Sequence, residues 1–279
     1  MRLGDLEFLV LTDGTLRLDG GAMFGVVPKP MWEKKSRPDE RNRILLAMNC
    51  LLIRAAGKTI IVETGAGDKW DAKRRDIYAF EGSARLPDQL AQNGVKPQDV
   101  DIVINTHLHF DHCGWDTRIV DGKVRPTFPN AKYVVQKKDF EHARNPTERD
   151  RASFMAENFM PVDEAKQWQL IEGEQPIVPG VSVVPAPGHT PAMQCVKLES
   201  GGRTAIFLAD LVPTTAHLPP AWIMGYDLYP LTTLENKKKI LPQIAKNGWL
   251  ALFAHDPEIR AAHLHERDGR IEAEPVPAG

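Results

Sequence analysis

The run His107-Leu108-His109-Phe110-Asp111-His112 constrains this chain more than any other stretch, because it gathers metal-binding side chains almost contiguously. Neutral imidazole and carboxylate suit zinc and similar divalent ions. If His107-Leu108-His109 is extended, alternation points both imidazoles the same way. Asp111 and His112 can then turn toward a second ion. The run follows Asp101-Ile102-Val103-Ile104-Asn105, a short β-branched stretch with the pattern of a buried strand.

Three remote candidates share that placement. His189 follows Val181-Ser182-Val183-Val184, in the loop Pro185-Ala186-Pro187-Gly188-His189-Thr190. Asp210 ends Ala205-Ile206-Phe207-Leu208-Ala209, and His255 ends Leu250-Ala251-Leu252-Phe253-Ala254. Strand ends at one rim of a sheet bring distant side chains together on rigid supports. Of nine histidines, His142, His217, His263 and His265 lack this placement.

Strands are expected at 6–11, 44–53, 59–62, 100–105, 133–136, 181–184, 194–198, 204–208 and 249–253. Helices are expected at 86–92, ended by Asn93-Gly94, at 138–144, at 150–158 and at 232–245, where Pro242 should kink or shorten the last one. Two strand-rich halves with helices suggest two packed sheets with helices outside, in a single domain over residues 1–279. Periodicity alone does not select that over other mixed architectures.

The run His107-x-His109-x-Asp111-His112, with His189, Asp210 and His255 in order, resembles the signature of the metallo-β-lactamase superfamily. The resemblance covers nearly the whole chain. It implies an α/β fold, a four-layer αββα sandwich of two mixed sheets with two divalent metal ions at one edge: zinc first, with cobalt, manganese or iron as alternatives. It implies that His107, His109 and His189 hold one ion, that Asp111, His112 and His255 hold the other, and that Asp210 bridges them. Such a pair can share a hydroxide as nucleophile, and Asp111 would pass a proton to the leaving group. Glu63-Thr64-Gly65-Ala66-Gly67 sits where relatives carry an Asp-Thr-Gly-like turn, so Glu63 or Thr64 would orient a ligand imidazole from behind. A plain glycine turn is the alternative.

Fold does not settle function within this superfamily. Asp210 as a bridge argues against antibiotic-degrading β-lactamases. The short stretch after His255 leaves no helical region of the glyoxalase II kind. What remains resembles the lactonases, including quorum-quenching N-acyl homoserine lactonases, and the methyl parathion hydrolase-like group. The stretches 19–29, 210–218 and 226–230 carry that likeness. One departure matters: Pro213 stands where many acyl-homoserine lactonases place a substrate-contacting tyrosine. Tyr226 or His217 is then a candidate replacement donor. Lactone or ester hydrolysis is the expected activity. Phosphotriester hydrolysis is an alternative, and an iron oxygenase or a non-catalytic metal-binding protein is an alternative of another class.

Met23, Phe24, Trp32, Leu218, Trp222 and Ile223 lie in loop-like segments, which points to an apolar pocket or a dimer interface. A homodimer is expected. The formal net charge of -2 offers no basic footprint for nucleic acid. No apolar run reaches the roughly 20 residues of a membrane span. The acidic N-terminus does not read as a signal peptide. Three scattered cysteines, Cys50, Cys113 and Cys195, argue against a disulfide framework. A cytoplasmic chain follows as the expectation.

Overall fold

The computed structural model describes residues 1–82 and 85–277. Its first half runs β1 (Arg2–Leu3), β2 (Leu6–Asp19), β3 (Arg43–Ala55), β4 (Lys58–Val62), β5 (Ile102–Ile104), the hairpin β6 (Thr117–Val120) and β7 (Lys123–Pro126), β8 (Lys132–Gln136) and β9 (Trp168–Ile171). The second half runs β10 (Gln175–Val178), β11 (Val181–Pro185), β12 (Gln194–Ser200), β13 (Arg203–Phe207), β14 (Leu250–Leu252), β15 (Ala261–Arg267) and β16 (Arg270–Pro275). Two seven-stranded mixed sheets result, ordered β1-β2-β3-β4-β5-β8-β9 and β10-β11-β12-β13-β14-β15-β16. Helices interleave: α1 (Gly20–Phe24), α2 (Lys29–Trp32), α3 (Ala72–Tyr78), α4 (Leu86–Gln92), α5 (Lys137–Arg144), α6 (Ala156–Glu164) and α7 (Pro230–Asn247).

The layers follow from which faces are apolar. β3 is buried along nearly its whole length, as expected of a strand covered on both faces. One face meets the second sheet, where Leu51 and Ile53 join Val183, Val196 and Phe207 in one core. The other face, with Cys50 and Leu52, packs on Leu86 and Leu90 of α4. Ile240, Leu241 and Ile244 of α7 cover the second sheet. Helix, sheet, sheet and helix therefore stack in the expected order.

Most expected elements are present, some longer, as β2 is, and some shorter, as β5 and β14 are. Two differ in kind. The helix expected at 150–158 is a short 3-10 turn, Arg151–Ser153, followed by extended Phe154 and Met155 and then α6. Tertiary contacts displace the local preference. Asp150 is held by His142 Nε2 at 2.5 Å, and the Ser153 carbonyl accepts from Phe110 N at 2.9 Å. Conversely, Pro242 does not end α7, which runs 18 residues. An internal proline costs about 3 kcal/mol, and the buried apolar face around it offsets that.

β2 carries a register shift between Thr12 and Thr15. A bulge re-aims a side chain, and here it turns Asp13 inward, fully buried. Asp13 accepts from Ala66 N, Gly67 N, Leu86 N, Trp115 Nε1 and the Arg85 guanidinium. That fan of donors fixes the 63–67 turn at the rim of the first sheet. Gly65 is obligatory there: it has φ 65°, and a Cβ would collide with Asp13.

Lys237 on α7 is a second buried anchor. Its ammonium donates to the carbonyls of His217, Pro219 and Trp222 at 2.6, 2.9 and 2.8 Å. Losing it strands three carbonyls, each worth about 1 kcal/mol or more when left unpaired. Lys237→Met should therefore lower unfolding stability by at least about 3 kcal/mol in a urea titration; a wild-type midpoint and slope would show that the loop needs no such clamp.

Candidate metal centre

β5, β11, β13 and β14 all end at the same edge of the sandwich, and the residues that follow turn toward one point. The two sheets are stitched there. Gln194 N donates to Thr106 O at 3.0 Å and Gln194 Nε2 to Asn105 O at 2.9 Å. Asn49 Nδ2 reaches Phe253 O and Asp256 O, both at 3.0 Å. This places the motif after β5 opposite the loops after β11, β13 and β14.

His107, His109, Asp111, His112, His189, Asp210 and His255 come together, none more than 8% exposed. Their donor atoms form three groups, each within 4.8 Å: His107 with His109 and His189, His107 with His112 and Asp210, and Asp111 with His112 and His255. Asp210 faces both ends of the cluster. Its Oδ2 lies 3.2 Å from His189 Nε2, and its Oδ1 lies 3.1 Å from His255 Nε2 and 3.4 Å from His112 Nε2.

Four of the five imidazoles are aimed from behind through Nδ1. His107 Nδ1 meets Thr106 Oγ1 at 3.0 Å, and His255 Nδ1 meets the Ala47 carbonyl at 2.7 Å. His189 Nδ1 meets Asp227 Oδ1 at 2.9 Å, and Thr233 Oγ1 donates to Asp227 Oδ2 at 2.6 Å. His112 Nδ1 lies 2.7 Å from Glu63 Oε2, off the line of a straight hydrogen bond, so charge carries that contact. Each ring thus presents Nε2 to the centre, the arrangement that fixes tautomer and orientation in metal sites. His109 presents Nδ1, which lies 3.0 Å from His189 Nε2.

The cluster fits divalent cations on its own chemistry. His107 Nε2 and Asp210 Oδ1 are buried without a hydrogen bond. His255 Nε2 and His112 Nε2 face each other at 3.1 Å, two lone pairs when both rings are neutral. Such groups are costly in a dry site unless a cation joins them. Backbone strain marks the same place. Glu63 and Ala209 adopt φ 63° and 47°, conformations that cost about 1–3 kcal/mol each and cluster at functional sites.

Charge balance separates the imidazoles. Burial holds His107 and His109 well below the usual histidine range, with neighbouring imidazoles adding to it. Burial also opposes charge on His112, but Asp210, Glu63 and Asp111 outweigh it, and its pKa lies well above normal. His189 and His255 are raised in the same way against burial, chiefly by Asp210.

Other expected residues fall elsewhere. A cavity of about 200 Å³ opens over the cluster, lined among others by Met23, Leu46, Tyr78, Phe110, Asp111 and Tyr226. Met23 and Tyr226 thus face it. Phe24 and Trp32 do not: they stack at 5.2 Å inside the core, 0% and 1% exposed. Leu218 is buried and, with Trp222, lines a separate groove near Lys35 and Ile271. The Ile223 carbonyl packs on Gly25. These apolar side chains lie outside the long strands because the 20–36 and 215–225 segments pack on one another, not because a ligand needs them. His217 is corrected as well. It is 1% exposed, its Nδ1 meets Thr214 Oγ1 and its Nε2 meets Met23 O, each at 2.8 Å, and burial lowers its pKa to about 3. It is a neutral strut with both nitrogens occupied.

Sequence reasoning missed Asp227, Asp13, Tyr78 and Lys237. Asp227 lay in plain view beside Tyr226, but nothing in one sequence says that its carboxylate reaches His189.

A buried His/Asp cluster at the strand ends of a four-layer α/β sandwich defines a metal-binding protein of the β-lactamase type. The profile of the metallo-beta-lactamase superfamily matches residues 44–255, and the chain belongs to that superfamily. It is 28% identical over 176 residues to an N-acyl homoserine lactonase of Bacillus thuringiensis, a match covering 62% of this chain and 63% of that protein's length. A probable metal-dependent hydrolase from Staphylococcus aureus superposes with a TM-score of 0.91 at 31% identity, covering 99% of each chain. AidC, a dizinc quorum-quenching lactonase in complex with a product, superposes with a TM-score of 0.82 at 22% identity over 99% of this chain and 96% of its own, which speaks to fold.

Two outcomes test the site. Glu63→Ala should weaken metal binding roughly 10–100-fold in a chelator competition, while unchanged affinity would remove its orienting role. Because His112, His189 and His255 have raised values without metal, loading must displace protons. Apparent metal affinity should therefore fall as pH is lowered from about 8 to about 6; a pH-independent affinity contradicts this charge balance.

Proposed function

We propose that this chain is a metal-dependent hydrolase that opens lactones or related esters, with N-acyl homoserine lactones among its substrates. The observation that carries the reading is the convergence of seven buried donor residues beneath a largely apolar cavity. The names of its lactonase relatives support the substrate class. His107, His109 and His189 would hold one ion, Asp111, His112 and His255 would hold the second, and Asp210 would be shared between them. Two divalent ions bound there would supply Lewis acidity and lower the pKa of water.

The chain's own residues do the rest. Glu63, Thr106, Asp227 and the Ala47 carbonyl lock the ligand rings. Leu18, Leu46, Met23, Phe110 and Met224 exclude water from the reacting carbonyl. Asp111, which lines the cavity, takes the proton released by the attacking water and passes it to the leaving oxygen. Tyr226, on the same wall, supplies a phenol to the substrate where Pro213 cannot. At about 200 Å³ the cavity suits a ring or short acyl group, and longer chains run out past Arg149 at its mouth.

Zinc fits the imidazole and carboxylate donor set. Both sheets contribute ligands, so the chain works as one domain. Three free, buried cysteines suit a reducing, cytoplasmic setting, and among the described residues no helix is long and apolar enough to cross a membrane. Val26 and Met31, 92% and 51% exposed, support pairing of two copies through the N-terminal segment; light scattering that reports a monomer would remove that pairing.

The activity test is direct. Zinc-reconstituted protein, with metal content measured, is screened on acyl homoserine lactones, simple lactones, aryl esters and paraoxon-type triesters. Lactone or ester turnover that Asp210→Asn lowers at least roughly 100-fold is expected. Turnover of triesters alone would reassign the substrate class. One bound iron per chain with oxygen consumption would overturn hydrolysis.

A further inference from the structure

Pro213 is buried beside the cluster, and its carbonyl accepts from His255 N at 2.9 Å. No phenol can stand at that position, yet the cavity wall carries two, Tyr226 and Tyr78. We propose that Tyr78 is a second substrate-contacting residue, its hydroxyl acting with that of Tyr226 as a pair of donors to the carbonyl oxygen under attack. This rests on the hydrolase reading above.

The fold aims Tyr78 at the cavity without using its hydroxyl. α3 has no buried residue, so packing within the helix does not explain it. Its C-terminal end is pinned from outside. Arg43 Nη1 donates to Asp76 O at 2.9 Å and to Ile77 O at 3.0 Å, and Arg41 pairs with Asp76 at 3.1 Å. Ala79 then turns left-handed at φ 45° and ends the helix. The Tyr78 ring lies 4.8 Å from Phe110 and 5.6 Å from Trp70. Phe110 sits between His109 and Asp111, which brings the phenol to the metal-binding loop.

Neither Tyr78 nor Tyr226 has a hydrogen-bonded hydroxyl among the described residues. Both line the same cavity as Asp111, His189, Asp210 and His255. Burial raises both phenols above their usual range, aided by Asp111 at Tyr78 and by Asp19, Tyr78 and Asp111 at Tyr226. They therefore stay protonated and remain donors. Donors fixed before reaction, in a water-poor site, stabilise developing charge on a carbonyl oxygen far more than they would in water. The 66–81 segment and the 219–229 loop, which contact different parts of the fold, thus supply the recognition that relatives place directly after the bridging aspartate.

Two readouts test the pair in full-length, zinc-reconstituted protein. Tyr78→Phe and Tyr226→Phe should each lower kcat roughly 10–100-fold on the best lactone or ester substrate, with metal content unchanged and KM little altered. Tyr229→Phe, exposed away from the cavity, should match wild type. The second readout is carbon-13 NMR of Cζ-labelled tyrosine, titrated with N-hexanoyl-homoserine. The chain has four tyrosines. Signals of Tyr78 and Tyr226, assigned from the Phe variants, should shift, while those of Tyr133 and Tyr229 stay. Wild-type kcat in Tyr78→Phe, or a stationary Tyr78 signal, overturns the proposal. If wild-type protein hydrolyses no lactone or ester, the functional reading fails, and the NMR titration alone decides: a Tyr78 shift upholds the contact and no shift removes it.

Discussion

Five imidazoles and two carboxylates share one nearly dry corner, with Asp210 facing imidazoles at both ends of it. Water cannot solvate these groups, and like charges among them repel strongly at such distances. Cations between the donors reverse the sign of that energy. Much of the surrounding structure holds these donors still. Rings that rotated freely would turn Nε2 outward and lose the site.

That rigidity is assembled at long range. Asp13, turned inward by the bulge in β2, fixes the turn that bears Glu63, and Glu63 faces His112. Asp227 braces His189 and is itself braced by Thr233 of α7. Asp139 ties the motif loop at Leu108 N to the neighbouring loop at Thr190. The backbone stitches through Gln194 and Asn49 keep the two sheets in register at the rim. A distortion far from the donor cluster therefore reaches it through few, stiff connections.

Substrate recognition follows a different logic. Leu18 and Leu46 reach the cavity from β2 and β3, but most of its wall comes from segments outside the sheets: Met23, Tyr78, the 149–153 turn and the 224–226 loop. Such connections tolerate change better than the strands they join. A proline after Asp210 can then coexist with an intact ligand cluster, because phenols reach the cavity from other segments.

The convergence of seven His and Asp side chains at one rim, the strands that carry them and the layered fold were legible in the sequence. Each depends on short-range pattern: alternation, β-branched runs, and histidines or an aspartate directly after a strand. Pocket and support were not legible. Phe24 and Trp32 look like pocket residues in one dimension, and only the packing of α1 and α2 on the 215–225 loop shows them as core. His217 has the chemistry of a donor, but Thr214 and the Met23 carbonyl already occupy both its nitrogens. Asp13, Asp227 and Tyr78 act across tens of residues of sequence, through contacts that exist only once the sheets have packed. The sequence by itself determined which atoms can bind metal and on which strand ends they ride. Tertiary structure alone decided which side chains steady those atoms and which face the cavity, because both depend on burial and direction, which local pattern does not encode.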